Sequence, residues 1–171
     1  MLPPEINHNK RWKYAQKEFE RRFLLAERPV KLKELDFKEI EDKYLEGTHL
    51  RLRKTSAGDR VQFKLTKKIR LTDEAADWLS TIYLSETEYQ LFLSLPGKSY
   101  TKGRYYIKKQ GEASIGIDEI KTQQGTIYLA EVEFESLESM ERYQFPLAFL
   151  REVTEDDFYS GFAFAQRLSL D

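Results

Sequence analysis

The chain has 171 residues, 40% hydrophobic and 33% charged, and its 28 basic and 29 acidic side chains nearly cancel to a net charge of −1. That length suits one domain, residues 1–171, with a sizeable core, and the balance excludes a disordered chain or whole-protein steering toward nucleic acid or an anionic membrane. With no cysteine, disulfides, thiolate metal sites and cysteine nucleophiles are excluded; with no apolar run near the roughly 20 residues of a membrane span and no signal-peptide core, a soluble cytoplasmic protein is expected.

Residues 1–16 read as a polar lead-in, and most of the remaining chain consists of short segments of period-two alternation that predict antiparallel strands. In Lys17–Leu25, Glu18, Glu20 and Arg22 oppose Phe19, Phe23 and Leu25. Arg51 and Arg53 alternate with Leu50 and Leu52, and Lys64 lies between Phe63 and Leu65, with Val61 on the apolar side. Ser85-Glu-Thr-Glu88 matches a capping box that opens a helix over 86–95, which Pro96-Gly97 stops. Lys102, Arg104, Tyr106 and Lys108 then oppose Tyr105 and Ile107, and Glu131, Glu133 and Glu135 oppose Val132 and Phe134. Residues 136–150 are expected to be helical in part, interrupted by Pro146. Thr154-Glu-Asp-Asp157 predicts a second cap leading into a helix over 156–168, within which Gly161 argues against continuity.

Successive strand residues point to opposite faces, so each strand offers one charged and one apolar line, and the charged lines are sorted by sign. Glu18/Glu20 and Glu131/Glu133 are paired carboxylates, whereas Arg51/Arg53, Lys64 and Lys102/Arg104 are bases. Carboxylates brought together repel unless a cation shares the site, and an all-oxygen site suits a hard divalent ion, Mg²⁺ or Mn²⁺. Converging arginines suit an anion rich in acceptor oxygens, such as phosphate. The same alternation also occurs in any half-exposed antiparallel sheet, and parity alone leaves open whether the charges face bulk water or a wet channel.

The ordered motifs carry further information. Glu18-Phe-Glu20-Arg-Arg22 is followed by Tyr44-Leu-Glu-Gly-Thr-His-Leu-Arg51-Leu-Arg53-Lys, Phe63-Lys64-Leu-Thr-Lys and Thr81-Ile-Tyr-Leu-Ser-Glu-Thr-Glu-Tyr89. Lys102-Gly-Arg104-Tyr-Tyr, Ile117-Asp118-Glu, Ala130-Glu131-Val-Glu133-Phe and Val153-Thr154 complete the series. Over residues 13–168 this resembles the CYTH superfamily of triphosphate tunnel enzymes. The resemblance implies an α+β, mainly antiparallel β fold: an eight-stranded closed tunnel barrel with a polar lumen and helices packed outside. It implies metal-dependent hydrolysis of the terminal phosphate of inorganic triphosphate or a small organic triphosphate. Glu18, Glu20, Asp118, Glu131 and Glu133 would hold Mg²⁺ or Mn²⁺, with Glu18, Glu20, Glu131 and Glu133 catalytic. Arg22, Arg51, Arg53, Lys64, Lys102 and Arg104 would bind the phosphates of a small triphosphate or polyphosphate ligand.

The chain departs from the family pattern in two places. Arg22 stands where the signature usually has lysine, and guanidinium stays protonated. Leu79-Ser-Thr-Ile-Tyr83 lacks the acid many relatives carry on their fourth strand, although Thr81-Ile-Tyr-Leu84 resembles one bacterial CYTH subgroup. These departures motivate an alternative, a non-catalytic polyphosphate- or nucleotide-binding module; adenylate cyclase chemistry is a further family possibility.

Other residues point to no site. His8 and His49 do not make a metal pair, and His49 reads as a lumen or rim residue. Trp12 and Trp78 read as packing anchors, and Lys108 and Glu135 as solvated strand ends. The basic run Lys64–Arg70 is too short to argue nucleic-acid binding. No positioned histidine supports a serine or threonine nucleophile. The sequence leaves monomer or homodimer open.

Overall fold

The computed structural model describes residues 14–29, 35–70, 76–110 and 113–169, the side chains of 108–110 excepted. The lead-in up to residue 13, with His8 and Trp12, and the side chain of Lys108 lie outside the described residues.

Every alternating segment is a strand. In chain order they are β1 (Gln16–Leu24), β2 (Asp36–Leu45), β3 (Leu50–Ala57), β4 (Arg60–Arg70), β5 (Asp77–Leu84), β6 (Gly97–Gln110), β7 (Ala113–Thr122) and β8 (Gly125–Phe134). All pair antiparallel in the order β5-β4-β3-β2-β6-β7-β8-β1, and β1 also pairs with β5, closing an eight-stranded barrel. Closure removes the sheet edges. The closing seam is short: Gln16, Lys17 and Glu18 oppose Leu79, Trp78 and Asp77. Beyond the seam the same edge of β1 takes β9 (Arg151–Glu152), with Phe23 opposite Glu152. The eight-stranded antiparallel tunnel is thus borne out.

The apolar lines lie outside the barrel wall, under helices and the C-terminal segment. Phe23, Leu25, Ile115, Ile117, Ala130 and Val132 form one buried cluster. Leu45, Leu52 and Leu65 form another with Tyr89 of α1 (Glu86–Leu93), whose ring lies 4.5 Å from that of Phe63. Helix α1 starts as expected: Ser85 accepts from the Glu88 amide, and the Glu88 carboxylate accepts from the Ser85 amide at 2.7 Å.

The two C-terminal helices are shorter than their patterns predict. Helix α2 (Leu137–Arg142) ends at Tyr143, before Pro146, because the chain turns extended and lays its rings on the barrel; Phe145 stacks on Phe23 at 4.4 Å. The helix expected over 156–168 is two pieces. Asp156 caps a single 3-10 turn at Asp157–Tyr159, and Ser160, not Thr154, caps α3 (Gly161–Leu168).

Helix α3 lies over one end of the barrel. There the lumen-facing positions change from charged to apolar: Tyr100, Ile120 and Leu129 share strand faces with Lys102, Asp118 and Glu131, and pack with Phe164 and Ala165 of α3. Gly161 is required by this close approach, since a Cβ there would overlap the Tyr44 hydroxyl and lie 3.0 Å from that of Tyr100. Gly161→Ala should therefore unseat the start of α3 and lower stability by about 1–3 kcal/mol. Thermal unfolding checks this; an unchanged Tm would mean α3 does not depend on that approach.

Candidate active site

The charged lines point inward and meet. Asp42 of β2 takes Arg53 of β3 in a fork, with Nε–Oδ1 2.6 Å and Nη2–Oδ2 2.7 Å. Asp42 is only 2% exposed; burial alone would raise its pKa, but the Arg53 and Arg51 charges outweigh that and hold it at about 2. Asp118 of β7 is fully buried and has both oxygens engaged: Arg104 of β6 donates from Nε at 2.6 Å and Nη2 at 2.8 Å, and Lys102 from Nζ at 2.5 Å. Both bases also bond Glu131 of β8, Lys102 at 3.3 Å and Arg104 through Nη2. Burial pushes Glu131 up, and Arg104 and Lys102 more than offset it, holding that carboxyl well below its usual range. Gly116 of β7 leaves room for this fork: a Cβ there would sit 3.1 Å from Arg104 Cδ and 3.3 Å from its Nε.

The remaining acids are differently placed. Glu18, Glu20 and Glu133 bring one carboxylate oxygen each to within 4.8 Å of one another. Burial, then the charges of Glu131 and Glu18, raise Glu20 to about 7, and burial followed by Glu18 raises Glu133. Among the described residues one cation is hydrogen-bonded to this trio: Lys68 of β4, whose Nζ lies 2.6 Å from Glu18 Oε2. Three converging carboxylates, all oxygen donors, make a donor set that suits a hard divalent cation. Asp118 and Glu131, which the resemblance also implies as metal-side acids, are hydrogen-bonded to Lys102 and Arg104, and Glu131 stays close enough to the trio for its charge to act on Glu20 and Glu133.

Two bases keep unused capacity. Arg51 lies 4.0 Å from Asp42, and its Nε is buried with no hydrogen-bond partner. Lys64 sits 5.0 Å over the Tyr83 ring and makes no ion pair among the described residues. Arg22, by contrast, donates to the carbonyls of Tyr159 at 2.8 Å and Thr154 at 2.6 Å, with Nε 3.7 Å from Glu20. It therefore ties the segment leading into α3 to the strand carrying Glu18 and Glu20.

Asp42, Lys68 and Asp77 are lumen groups that the sequence reading does not single out. Strand β5 has no acid at 79–83, where Thr81 instead shares a 2.9 Å hydrogen bond with Thr66, but Asp77 at its start bonds Lys68 and Arg70. His49 is exposed at the turn before β3, a rim position. Trp78 is half-buried on the outer face under Lys17, 5.2 Å from its ring centre.

A closed antiparallel barrel with acids and bases sorted across its lumen has the architecture that the resemblance to triphosphate tunnel enzymes implies. The fold is similar to that of the inorganic triphosphatase NE1496, with a TM-score of 0.57 and 26% identity over 90% of this chain and 97% of that one. It is also similar to the PH1819 protein of Pyrococcus horikoshii OT3, with a TM-score of 0.52 and 20% identity over 72% of this chain and 82% of that one. No protein-family model matches the chain, and no curated protein sequence does. The resemblance to the CYTH superfamily read from the ordered motifs holds in the three-dimensional structure.

Glu20 generates a pH prediction. Its folded-state pKa of about 7 lies above the 4.5 of an exposed glutamate, so between those values the folded form keeps a proton that the unfolded form releases. Stability of metal-free protein is then lost as pH rises through that window, by roughly 3 kcal/mol at most. Asp42, held at about 2, loses its contribution only in stronger acid and leaves the window undisturbed. Glu20→Gln should flatten the fall in Tm between pH 5 and 8 in chelator; parallel curves for variant and wild type would contradict the burial of this carboxylate among like charges.

Proposed function

We propose that the chain hydrolyses the terminal phosphate of inorganic triphosphate or a small organic triphosphate, with Mg²⁺ or Mn²⁺. The likeness to an inorganic triphosphatase supports triphosphatase activity at the level of the family. The observation that carries the reading is the double imbalance of the lumen, where three carboxylates share the ammonium of Lys68 and the more distant guanidinium of Arg22 while Arg51 and Lys64 retain free donors.

In this reading Glu18, Glu20 and Glu133 hold the cation, which when bound supplies charge neutralisation at the phosphate oxygens. Arg51 and Lys64 bind the phosphate chain, joined by the unused donors of Arg53, Lys102 and Arg104. The ion pairs these three already make with Asp42, Asp118 and Glu131 fix their guanidinium and ammonium groups in place before substrate arrives. Glu131 and Asp118 thus serve the site by orienting bases. Water attacks the terminal phosphorus in line, Glu133, the exposed member of the trio, accepts its proton, and the bridging P–O bond breaks to release orthophosphate and pyrophosphate or the organic diphosphate. Arg22 holds the segment before α3 in place and acts on the substrate only through that position. The cytoplasm is the proposed location; no helix among the described residues is long and apolar enough to cross a membrane.

Purified protein given tripolyphosphate with Mg²⁺ or Mn²⁺ should release phosphate, and a panel with ATP, GTP, thiamine triphosphate and long polyphosphate should rank the substrates. Tight binding without phosphate release would assign a binding module instead, and cyclic AMP from ATP a cyclase. Glu133→Ala should lower kcat by about 10²-fold or more with Tm kept, because this carboxylate serves the ligand and not the core. Arg51→Ala should chiefly raise KM, by about tenfold. Full activity in Glu133→Ala would contradict the assignment.

A further inference from the structure

Lys68 places its ammonium on Glu18, one of the three carboxylates. Its Nζ bridges two carboxylates, 2.6 Å from Glu18 Oε2 and 3.0 Å from Asp77 Oδ2, and so supplies the trio with positive charge from within the chain. A divalent cation binding Glu18 would bring its charge beside this ammonium, and two cations so close in a partly buried site repel each other. Asp77 offers the ammonium somewhere else to go: its Oδ1 is held by Arg70 Nε at 3.1 Å, which leaves Oδ2 turned toward Lys68. The lysine already touches both acceptors, so letting go of one requires no backbone movement.

We infer that Lys68 is the resident counter-cation of Glu18, Glu20 and Glu133, and that a divalent cation entering the trio displaces its ammonium from Glu18 onto Asp77. Lys68 thereby sets the metal affinity of the site, weakening binding by the amount of the ion pair that must be broken. This rests on the reading of the trio as the metal site and adds a competitor to it. A purely structural role predicts the opposite sign. Lys68 also spans the short β1–β5 seam, and if it served only to staple Glu18 in place, removing it would loosen the trio and weaken metal binding.

Calorimetric titration of the full chain with MnCl₂ separates these. Lys68→Met should bind Mn²⁺ about tenfold more tightly or better, while Lys68→Arg, which keeps the charge, should stay within about twofold of wild type. Without metal, Lys68→Met should melt below wild type, and Mn²⁺ should raise its Tm further than it raises that of wild type. Unchanged or weaker Mn²⁺ binding by folded Lys68→Met overturns the inference alone. Should Lys68→Met fail to fold, Lys68→Gln, which keeps a hydrogen-bonding head without charge, carries the same expectation and the same refutation. A folded wild type that binds no Mn²⁺ overturns the metal reading of the trio and this inference with it.

Discussion

Charge enclosed in a narrow lumen has to be matched within it, and how this matching is done divides the site in two. Asp42 with Arg53, and Asp118 and Glu131 with Lys102 and Arg104, are matched internally by forks and short hydrogen bonds. Breaking such a pair would leave a buried charge without its partner, so these groups are fixed in place by their own energetics. Glu18, Glu20 and Glu133 are not matched in this way: three carboxylates share the ammonium of Lys68 and the more distant guanidinium of Arg22. Arg51 and Lys64 are the converse, bases with donors left over. A metal–polyphosphate complex cancels both residues of charge at once, which neither a cation nor an anion does alone.

The barrel makes this possible because strand β1 serves three neighbours. Its inward line supplies Glu18, Glu20 and Arg22, its edges close the barrel on β8 and β5, and its last residues pair with β9. Arg21, pointing outward, takes no part in the lumen and instead binds Glu152 through two hydrogen bonds of 2.8 and 2.6 Å and the carbonyl of Tyr143 at 2.8 Å. Arg21 outside and Arg22 inside therefore grip the same C-terminal segment from the two faces of one strand. That segment ends in α3, which packs on the apolar end of the lumen, so the position of Glu18 and Glu20 and the covering of that end depend on the same short stretch of chain.

Much of this was legible in the sequence where one strand face is charged and the other apolar. Strands β1, β3, β4, β6 and β8 have that contrast, so parity groups their charged residues on one face, and the family resemblance implied that this face is the inward one. Strand β2 (DFKEIEDKYL) carries charge on both faces, and β7 (ASIGIDEIKT) is apolar on much of both, so neither shows the alternation. Asp42 could not be told from Glu39 or Glu41 until its register opposite Arg53 was known. Lys68 was accessible: it lies four residues beyond Lys64 on one strand, hence on the same face, and counting by two through Lys64–Arg70 would have found it. The role of Arg22 had no local signal, because its carbonyl partners are supplied by Thr154 and Tyr159 at the far end of the chain. The family signature assigned that residue by analogy, and the structure shows what a five-donor guanidinium does there that a lysine could not.

The proposed hydrolysis depends on one cation and one polyphosphate meeting inside the lumen. A crystal structure of the protein with Mn²⁺ and imidotriphosphate, with anomalous scattering used to place the manganese, tests that most directly. The predicted result is a manganese peak among Glu18, Glu20 and Glu133, with phosphate oxygens reaching from it to Arg51 and Lys64. Manganese and phosphate bound on the outer surface, or at sites that do not touch each other, would contradict it.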